Sequence, residues 1–494
     1  GSLASLPGPV EPEGVFPPRL LPAKAHGDEI DLLPIPEAHP AAVAFVQDLG
    51  DPGGVGDVQF GSSHGVVFFF LSGIFRVELP FQVEDSVAAD LHPVPLHDAQ
   101  KLAAPPGELP GPEDAFSQYL WKNRETYTDA IMVQNAIERL PDKNAYEHAM
   151  WMYHYDLEED VWTPEDSLKS FCESHENVNN MYLHIYARYW HGYLLYLKPL
   201  LLLFSWQHVV WLELAVQIAL MIWVLVTAIQ KQNAGVAVVT LGSFLFMKPV
   251  LVLVSLTMSV CWILTLLAVE YMLLHHDRLH EKGQYPEFFL IVGILTSYFD
   301  FLTYPVVTLG IPLCCYFLLE SDRLWNNIKR LAGFSVSWAI GYAGMWAAKW
   351  VIADLTLHTG TIKDAIWSII GRTEAIGGRP RMNGGVYVIG LNLQEYPAYI
   401  GIVAGVLAAI AIGMLVMIIV TGKWKEIFAQ LVPVVLTAAI PFVWIIAVQH
   451  HSALHARFTF RILSVAAAAA ITFIVLNVKQ AKKQQKSQKR LKKA

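Results

Sequence analysis

From about residue 192 to residue 478, the chain is a succession of apolar stretches close to the length that a helix needs to cross a bilayer. A hydrophobic content of 54% and a charged fraction of 16% are too apolar for a soluble chain of 494 residues. We therefore predict an all-α protein, a polytopic transmembrane helical bundle of about 9–11 spans with a small extracytoplasmic helical domain. The span candidates are 208–229, 234–248, 250–274, 286–299, 301–319, 333–354, 397–420, 428–448 and 460–478, and the stretch 193–206 dips into the membrane or adds another span.

Composition divides the chain into four regions. Residues 1–115 are rich in Pro and Gly, which predicts a poorly ordered N-terminal region. Residues 116–191 alternate aromatic and acidic residues in helical patterns, which predicts an extracytoplasmic helical loop domain. Residues 192–478 form the transmembrane bundle with its outer loop 355–396. Residues 479–494, with eight Lys or Arg and no acid, form a basic cytoplasmic tail.

The distribution of Lys and Arg predicts the orientation. These residues gather at alternate ends of the apolar stretches, and the positive-inside rule assigns that side to the cytoplasm of a bacterial cell. The outer side of the multi-pass protein then receives the helical domain, the turn at Asp300, the loop 355–396 and the turn 449–461. Three residues of the long loop run against this bias, which makes them candidates for a task that needs positive charge: Arg372, Arg379 and Arg381.

Several common motifs are missing from the sequence. It holds no GxxxxGK[ST] loop, no paired dinucleotide-binding glycine fingerprint and no GxSxG, which argues against an ATP-driven pump and an α/β hydrolase. The four cysteines form no CxxC pair, so neither a disulfide framework nor a structural zinc site is predicted. We expect no nucleic-acid partner, and the sequence leaves open whether a divalent cation assists as a cofactor.

The segment Arg188–Tyr193 (RYWHGY) stands where the predicted outer domain enters the membrane. Its three aromatic residues suit an anchoring belt at the bilayer interface. Arg188 and His191 fit such a belt less well. Because an Arg can hold a phosphate by a bidentate contact and a His can orient one or donate a proton, both are candidates for binding a substrate phosphate.

Asp300 lies between two apolar runs, in the sequence SYFDFLTYP. A carboxylate at mid-bilayer costs on the order of 3 kcal/mol on insertion scales, so Asp300 must face water, a partner or a substrate. A helix cap at a tight turn is the alternative interpretation.

The densest polar cluster near the membrane is the segment 450–461 (HHSALHARFTFR). His451 and His455 are four residues apart and share a helix face, which could suit a metal, but no third ligand stands at motif spacing. The pattern favours a cationic pocket for phosphate or pyrophosphate, made by these histidines with Arg457 and Arg461. Ordinary interfacial solvation is the remaining alternative.

A sugar-transferring enzyme needs a carboxylate that accepts the proton of the attacking hydroxyl. Asp129 is the first candidate for this catalytic role, since it stands beside an aromatic residue near the start of the outer domain. Asp300 is the second candidate. The other acids of the domain suit an ordinary solvated surface.

Four segments together resemble a known family: TYTDAIM, RYWHGYLLYLKPLL, SYFDFLTYPVVTLGIPL and HSALHARFTFR. Their layout, from near Tyr127 to about Val478, is similar to the GT-C class of integral-membrane glycosyltransferases in bacterial surface-polysaccharide loci. The resemblance implies a polyprenyl-phosphate-linked sugar donor, inverting transfer on the outer face, and a catalytic carboxylate in the first outer loop, here Asp129. That class has a transmembrane helix before this loop, where residues 1–115 offer no spanning stretch, and Asp129 lacks the paired acid of several of its families.

The resulting hypothesis is a membrane glycosyltransferase that moves a sugar from a lipid phosphate to a surface glycan or lipid acceptor. Arg188, Arg457 or Arg461 would hold the phosphate, and membrane lipids would surround the protein. Two other classes stay open: a transporter or flippase of lipid-linked oligosaccharide, and a non-catalytic partner of a polysaccharide synthase. A transporter predicts polar residues through the membrane depth, where charged residues are few, Glu213 and Glu270 being exceptions.

Overall fold

The structure, a computed structural model, describes residues 127–137, 143–157, 181–320, 322–376, 379–420 and 424–491. All of these residues belong to one compact unit, Glu84–Ala494. The predicted N-terminal region 1–115, Cys172 and the end of the basic tail lie outside the described residues.

The described chain is built almost entirely of helices, which confirms the predicted all-α class. The helices are α1 (Tyr127–Ile137), α2 (Ala145–Trp151), α3 (Leu194–Leu203), α4 (Trp206–Gln230), α5 (Ala234–Phe244), α6 (Pro249–Val254), α7 (Leu256–Glu281), α8 (Tyr285–Phe299), α9 (Val307–Leu319), α10 (Leu324–Leu357), α11 (Thr361–Thr373), α12 (Arg381–Gln394), α13 (Ala398–Val420), α14 (Trp424–Ala447), α15 (Gln449–Leu454), α16 (Ala456–Thr459) and α17 (Ser464–Leu491). Short 3₁₀ turns at Leu245–Met247 and Phe460–Leu463 continue α5 and α16.

Four helical stretches in the described part of the chain are long and apolar enough to cross a membrane: Trp206–Gln230, Leu256–Glu281, Gln430–Ala447 and Ala456–Ala481. The protein is therefore a membrane protein. Five further apolar helices are shorter: Leu194–Leu203, Ala234–Met247, Tyr285–Phe299, Val307–Leu319 and Ile400–Val416. The count of 9–11 spans and the choice of membrane stay predictions.

The backbone breaks at Lys248–Pro249, between the span candidates 234–248 and 250–274. Lys248 has a left-handed backbone (φ +53°) and Pro249 begins α6, where its missing N–H costs no helical hydrogen bond. Ser255 then caps α7, because its side chain accepts a hydrogen bond from the Met258 N–H at 3.4 Å.

The region 145–160, predicted as helical, changes to a strand after α2. Met152 has a left-handed backbone (φ +47°), which ends the helix. Strand β1 (Tyr153–Leu157) then pairs antiparallel with β2 (Met181–Ile185), with Tyr153 opposite Ile185. The helical expectation for 153–157 was wrong because aromatic residues that alternate along this segment also suit a strand.

Helices α8 and α10 approach each other so closely that only glycine fits at two positions of their contact. A Cβ atom at Gly293 would lie 2.2 Å from the Trp338 carbonyl oxygen, and one at Gly341 would lie 2.1 Å from the Leu290 carbonyl oxygen. Glycine at both positions lets the two backbones touch, as in small-residue contacts between membrane helices. This contact holds the middle of α8, the helix that ends just before Asp300, against α10.

Candidate functional site

The turn Asp300–Tyr304, which joins α8 to α9, is buried in the protein. Asp300 ends α8, and its carboxylate accepts hydrogen bonds from the Thr303 N–H at 3.1 Å and from the Thr303 hydroxyl. An Asp that hydrogen-bonds to its own backbone a few residues on is a common way to close a turn. Leu302 adopts φ +67°, a conformation that side chains other than Gly, Asn and Asp rarely adopt. The contacts of Asp300 in this structure are thus those of a residue that ends a helix and closes a tight turn, which was the alternative interpretation of the sequence.

Successive residues of this turn contact two segments that the sequence predicts on the outer side. The Phe301 ring lies 5.3 Å from that of His191, measured between ring centroids. The carbonyl of Leu302 accepts a hydrogen bond from His451 Nε2 at 2.9 Å. The turn therefore joins three segments that are far apart in sequence and were predicted to lie on one face of the membrane.

Arg188 is held close to the same place by a residue of the long loop. Its guanidinium forms an ion pair of 2.7 Å with Asp364 of α11, and its carbonyl accepts the Trp350 indole N–H at 2.9 Å. His191, three residues further on, is buried among aromatic rings and has a left-handed backbone (φ +53°). Its Nδ1 lies 2.9 Å from the Tyr189 carbonyl oxygen. Arg188 and His191 thus stay together in the fold.

A small, partly open cleft lies beside Arg188, between α10 and α11. Its lining residues are Arg188, Tyr189, Trp346, Trp350, Ala365, Ser368, Ile369 and Arg372. The Arg372 guanidinium lies 5.7 Å above the centre of the Tyr189 ring and forms no ion pair with a described carboxylate. The cleft therefore brings together two guanidinium groups from segments almost two hundred residues apart.

Two hydrogen-bond donors at this cleft lack acceptors in the described part of the chain. Arg188 Nε and the indole Nε1 of Trp346 are buried and have no hydrogen-bond partner among the described residues. Buried donors are normally satisfied, so orphaned ones at a binding cleft suggest an acceptor that is a ligand or water. Two guanidinium groups and an indole N–H suit an oxyanion such as phosphate.

His451 and His455 are adjacent, with ring centroids 4.7 Å apart. Burial lowers the pKa of His451 to about 3, with the neighbouring His455 and Arg372 adding to the effect. Burial, and then Arg372, lowers the pKa of His455 to about 4. Both rings are therefore neutral at pH 7, and they offer hydrogen bonds to a ligand rather than the positive charge that we expected of them.

Arg457 and Arg461 belong to a second group, away from the cleft. Arg461 is buried, and its Nε donates to the Met247 carbonyl at 3.0 Å. Arg457 is exposed at the surface. Lys248 stands with them and pairs with Glu395 at 3.2 Å. The predicted phosphate-binding residues are thus divided: Arg188 lines the cleft with Arg372, whereas Arg461 is bonded to the backbone beside Lys248 and Arg457 is exposed near it.

Asp129 occupies a third place, at the start of α7. Its Oδ1 accepts hydrogen bonds from the Thr257 N–H at 3.0 Å, the Thr257 hydroxyl at 2.7 Å and the Ser255 hydroxyl at 3.3 Å. A carboxylate that binds the free N–H groups of a helix N-terminus stabilises the helix and its dipole. These contacts give Asp129 a structural role in α7.

Asp300 is the candidate carboxylate closer to the cleft, because its neighbour Phe301 contacts the Tyr189 ring of the cleft wall at 5.7 Å. Burial raises the pKa of Asp300. In the part of the chain that the structure describes, no group of three or more His, Cys, Asp or Glu side chains could hold a metal ion.

The only sequence feature that pointed to Arg372 was its place in the predicted outer loop, on the side of the membrane where Lys and Arg are otherwise few. Trp346 and Trp350 carried no signal that would distinguish them from other aromatic residues of a membrane helix. Comparison with protein-family models, curated proteins and solved structures gives no match to this chain.

Proposed function

We propose that the protein is a membrane glycosyltransferase that binds the phosphate of a polyprenyl-phosphate-linked sugar in the cleft between α10 and α11. One observation carries the proposal: Arg188, Trp346 and Arg372 line one cleft. Arg188 Nε and Trp346 Nε1 have no acceptor among the described residues, and Arg372 forms no ion pair with a described carboxylate. A lipid phosphate supplies both the acceptor oxygens and the negative charge that these groups need.

The same groups would assist the chemistry of transfer. When the bond from the sugar to the phosphate breaks, negative charge grows on the leaving phosphate oxygen. Fixed guanidinium donors that are already in position stabilise this charge without reorganisation. Arg188 and Arg372 therefore serve ground-state binding and the departure of the lipid phosphate alike.

The proton of the acceptor hydroxyl goes to a carboxylate. Asp300 suits this task better than Asp129, since it adjoins the cleft wall through Phe301 and burial raises its pKa. To accept the proton, Asp300 must exchange its hydrogen bonds to Thr303 for one to the acceptor. Asp129 acts by fixing α7.

Binding is tested with the full chain in lipid nanodiscs and polyprenyl phosphate as the probe, titrated by microscale thermophoresis. Arg372→Gln should weaken binding at least tenfold, because a charge-assisted contact is lost. Arg379→Gln is the matched control: it removes the same charge from the same loop, where Arg379 is exposed over the Tyr387 ring at 4.3 Å. Equal affinities for the two variants would refute the cleft as the phosphate site.

Catalysis is tested with a polyprenyl-phosphate-linked radiolabelled sugar and a surface-glycan fraction as acceptor. Asp300→Asn should abolish the release of polyprenyl phosphate while the lipid still binds. Asp129→Asn keeps an acceptor oxygen for Thr257 and should retain transfer. If no variant changes transfer but Arg372→Gln abolishes movement of the lipid between leaflets, the flippase alternative replaces this proposal.

A further inference from the structure

Helix α11 has two unlike faces. Thr361 and Ala365 are buried against the bundle, 2% and 1% exposed, and Arg372 continues this face into the cleft. The opposite face presents Ile366 and Trp367, which are 50% and 65% exposed. Ile370 shares this outer face, since it lies four residues beyond Ile366. An amphipathic helix whose apolar face is left exposed by the described residues needs another apolar neighbour.

Apolar side chains are also exposed on the helices that precede and follow α11. Leu355 and Val351, near the end of α10, are exposed immediately before α11 begins. Met382 and Val386 are exposed in α12, which follows α11 along the chain. Exposed apolar side chains are therefore present on α10, α11 and α12.

The start of α11 is fixed at an angle to α10 by a defined turn. The Asp354 carboxylate accepts the Thr361 N–H at 2.6 Å and the Ile362 N–H at 3.0 Å, so it satisfies the free donors of the new helix. Gly360, with φ +69°, allows the chain to reverse at this point. Together with the ion pair from Asp364 to Arg188, these contacts hold the outer face in one orientation.

The chemistry of this face fits the boundary between lipid headgroups and acyl chains. Isoleucine side chains enter the acyl region, whereas a tryptophan prefers the headgroup level. Lys363 lies on the same face and can extend its ammonium to the phosphates of the headgroups. A water-exposed surface or a charged protein partner would not favour three bulky apolar residues here.

We propose that α11 lies in the bilayer interface, with its outer face in contact with lipid, so that the cleft on its inner face is reached from the membrane. A phosphate-bearing lipid would then reach Arg188 and Arg372 sideways, without leaving the bilayer. The second statement rests on the proposed function, whereas the membrane contact of α11 does not.

Spin labels on single cysteines test the contact in vesicles of phosphatidylcholine and phosphatidylglycerol. The background variant is Cys172→Ser, since Cys261, Cys314 and Cys315 are buried. Labels at Ile366→Cys and Ile370→Cys are compared with Ile222→Cys, exposed on the spanning helix α4, and with Lys282→Cys, exposed at the end of α7. Power saturation then measures the collision of each label with oxygen and with a water-soluble nickel chelate.

Both α11 labels should have an oxygen-to-nickel collision ratio several-fold above that of Lys282→Cys and below that of Ile222→Cys, which lies deeper in the bilayer. A ratio like that of Lys282→Cys would mean contact with water, and low collision with both reagents would mean cover by protein. Either result overturns the inference. Adding Arg372→Gln separates the two proposals, because it should remove polyprenyl phosphate binding and leave the collision ratios of α11 unchanged.

Discussion

The close contact between α8 and α10 makes a quantitative prediction about one methyl group. In Gly341→Ala the new Cβ would lie 2.1 Å from the Leu290 carbonyl oxygen, whereas ordinary contact begins at 3.4 Å. The helices must part by about 1.3 Å, the difference 3.4 − 2.1, because the obstructing atom belongs to the backbone. Overpacking of this kind costs about 1–3 kcal/mol.

Gly344→Ala is the matched control, since it lies in the same helix and its new methyl carbon would have no neighbouring heavy atom of the described chain within 4 Å. Both variants gain the same helix propensity, up to ~1 kcal/mol over Gly. The difference between them therefore isolates the steric effect, and we expect Gly341→Ala to be less stable than Gly344→Ala by about 1–3 kcal/mol.

The measurement is unfolding in mixed micelles with increasing dodecyl sulfate, followed by tryptophan fluorescence. Gly341→Ala should also weaken polyprenyl phosphate binding, because α10 carries Trp346 and Trp350 of the cleft. Coincident unfolding curves for the two variants would show that the helices are not in backbone contact, and would refute the reasoning.

Three further predictions concern the surroundings of the cleft. Asp364→Asn removes the carboxylate that pairs with Arg188 and should tighten polyprenyl phosphate binding, so a weaker affinity would contradict the cleft assignment. The free energy of unfolding should fall by less than about 1 kcal/mol, because the pair is partly exposed. Gly192→Ala would place a Cβ 2.3 Å from the Tyr298 ring and should lower both binding and the unfolding midpoint, so an unchanged midpoint would count against the packing. His451 has a pKa lowered to about 3, against about 6.5 when unfolded, so its contribution to stability is complete above pH 6.5 and decreases as pH falls towards 3. The unfolding midpoint of His451→Gln should therefore depend less on pH between 7 and 4 than that of the wild type, and parallel pH curves would refute this.

Much of the fold follows from local features of the sequence. The lengths of the apolar stretches predict the helices, and the Lys248–Pro249 pair predicts a break that the backbone contains. Asp300, followed three residues later by Thr303, has the chemistry of a closed turn, and the structure has this turn. Such features are predictable because they depend on residues within a few positions of each other.

The cleft was less predictable because its residues meet only through tertiary packing. Arg188 and Asp364 are 176 residues apart in the chain, and no sequence pattern predicts that they form an ion pair. The polarity of Arg457 and Arg461 suggested a phosphate site, but Arg461 is occupied by a backbone carbonyl at 3.0 Å. A cation is free for a ligand only where the fold leaves its donors unsatisfied, which no sequence pattern expresses.

The role of Asp129 was also unpredictable from the sequence, because it too depends on tertiary contacts. A carboxylate near the start of an outer domain has the residue type of a general base, and its place in the sequence resembles that of a catalytic loop. Yet an acid beside the first turn of a helix gains charge-assisted hydrogen bonds from the free N–H groups there, and Thr257 supplies both an N–H and a hydroxyl. Those bonds stabilise the charged form and hold Oδ1 of Asp129 at the start of α7. Asp300 keeps its carboxylate within a turn that adjoins the cleft wall through Phe301, whereas the Asp129 carboxylate is tied to the first turn of α7, and this difference makes Asp300 the better candidate for proton transfer.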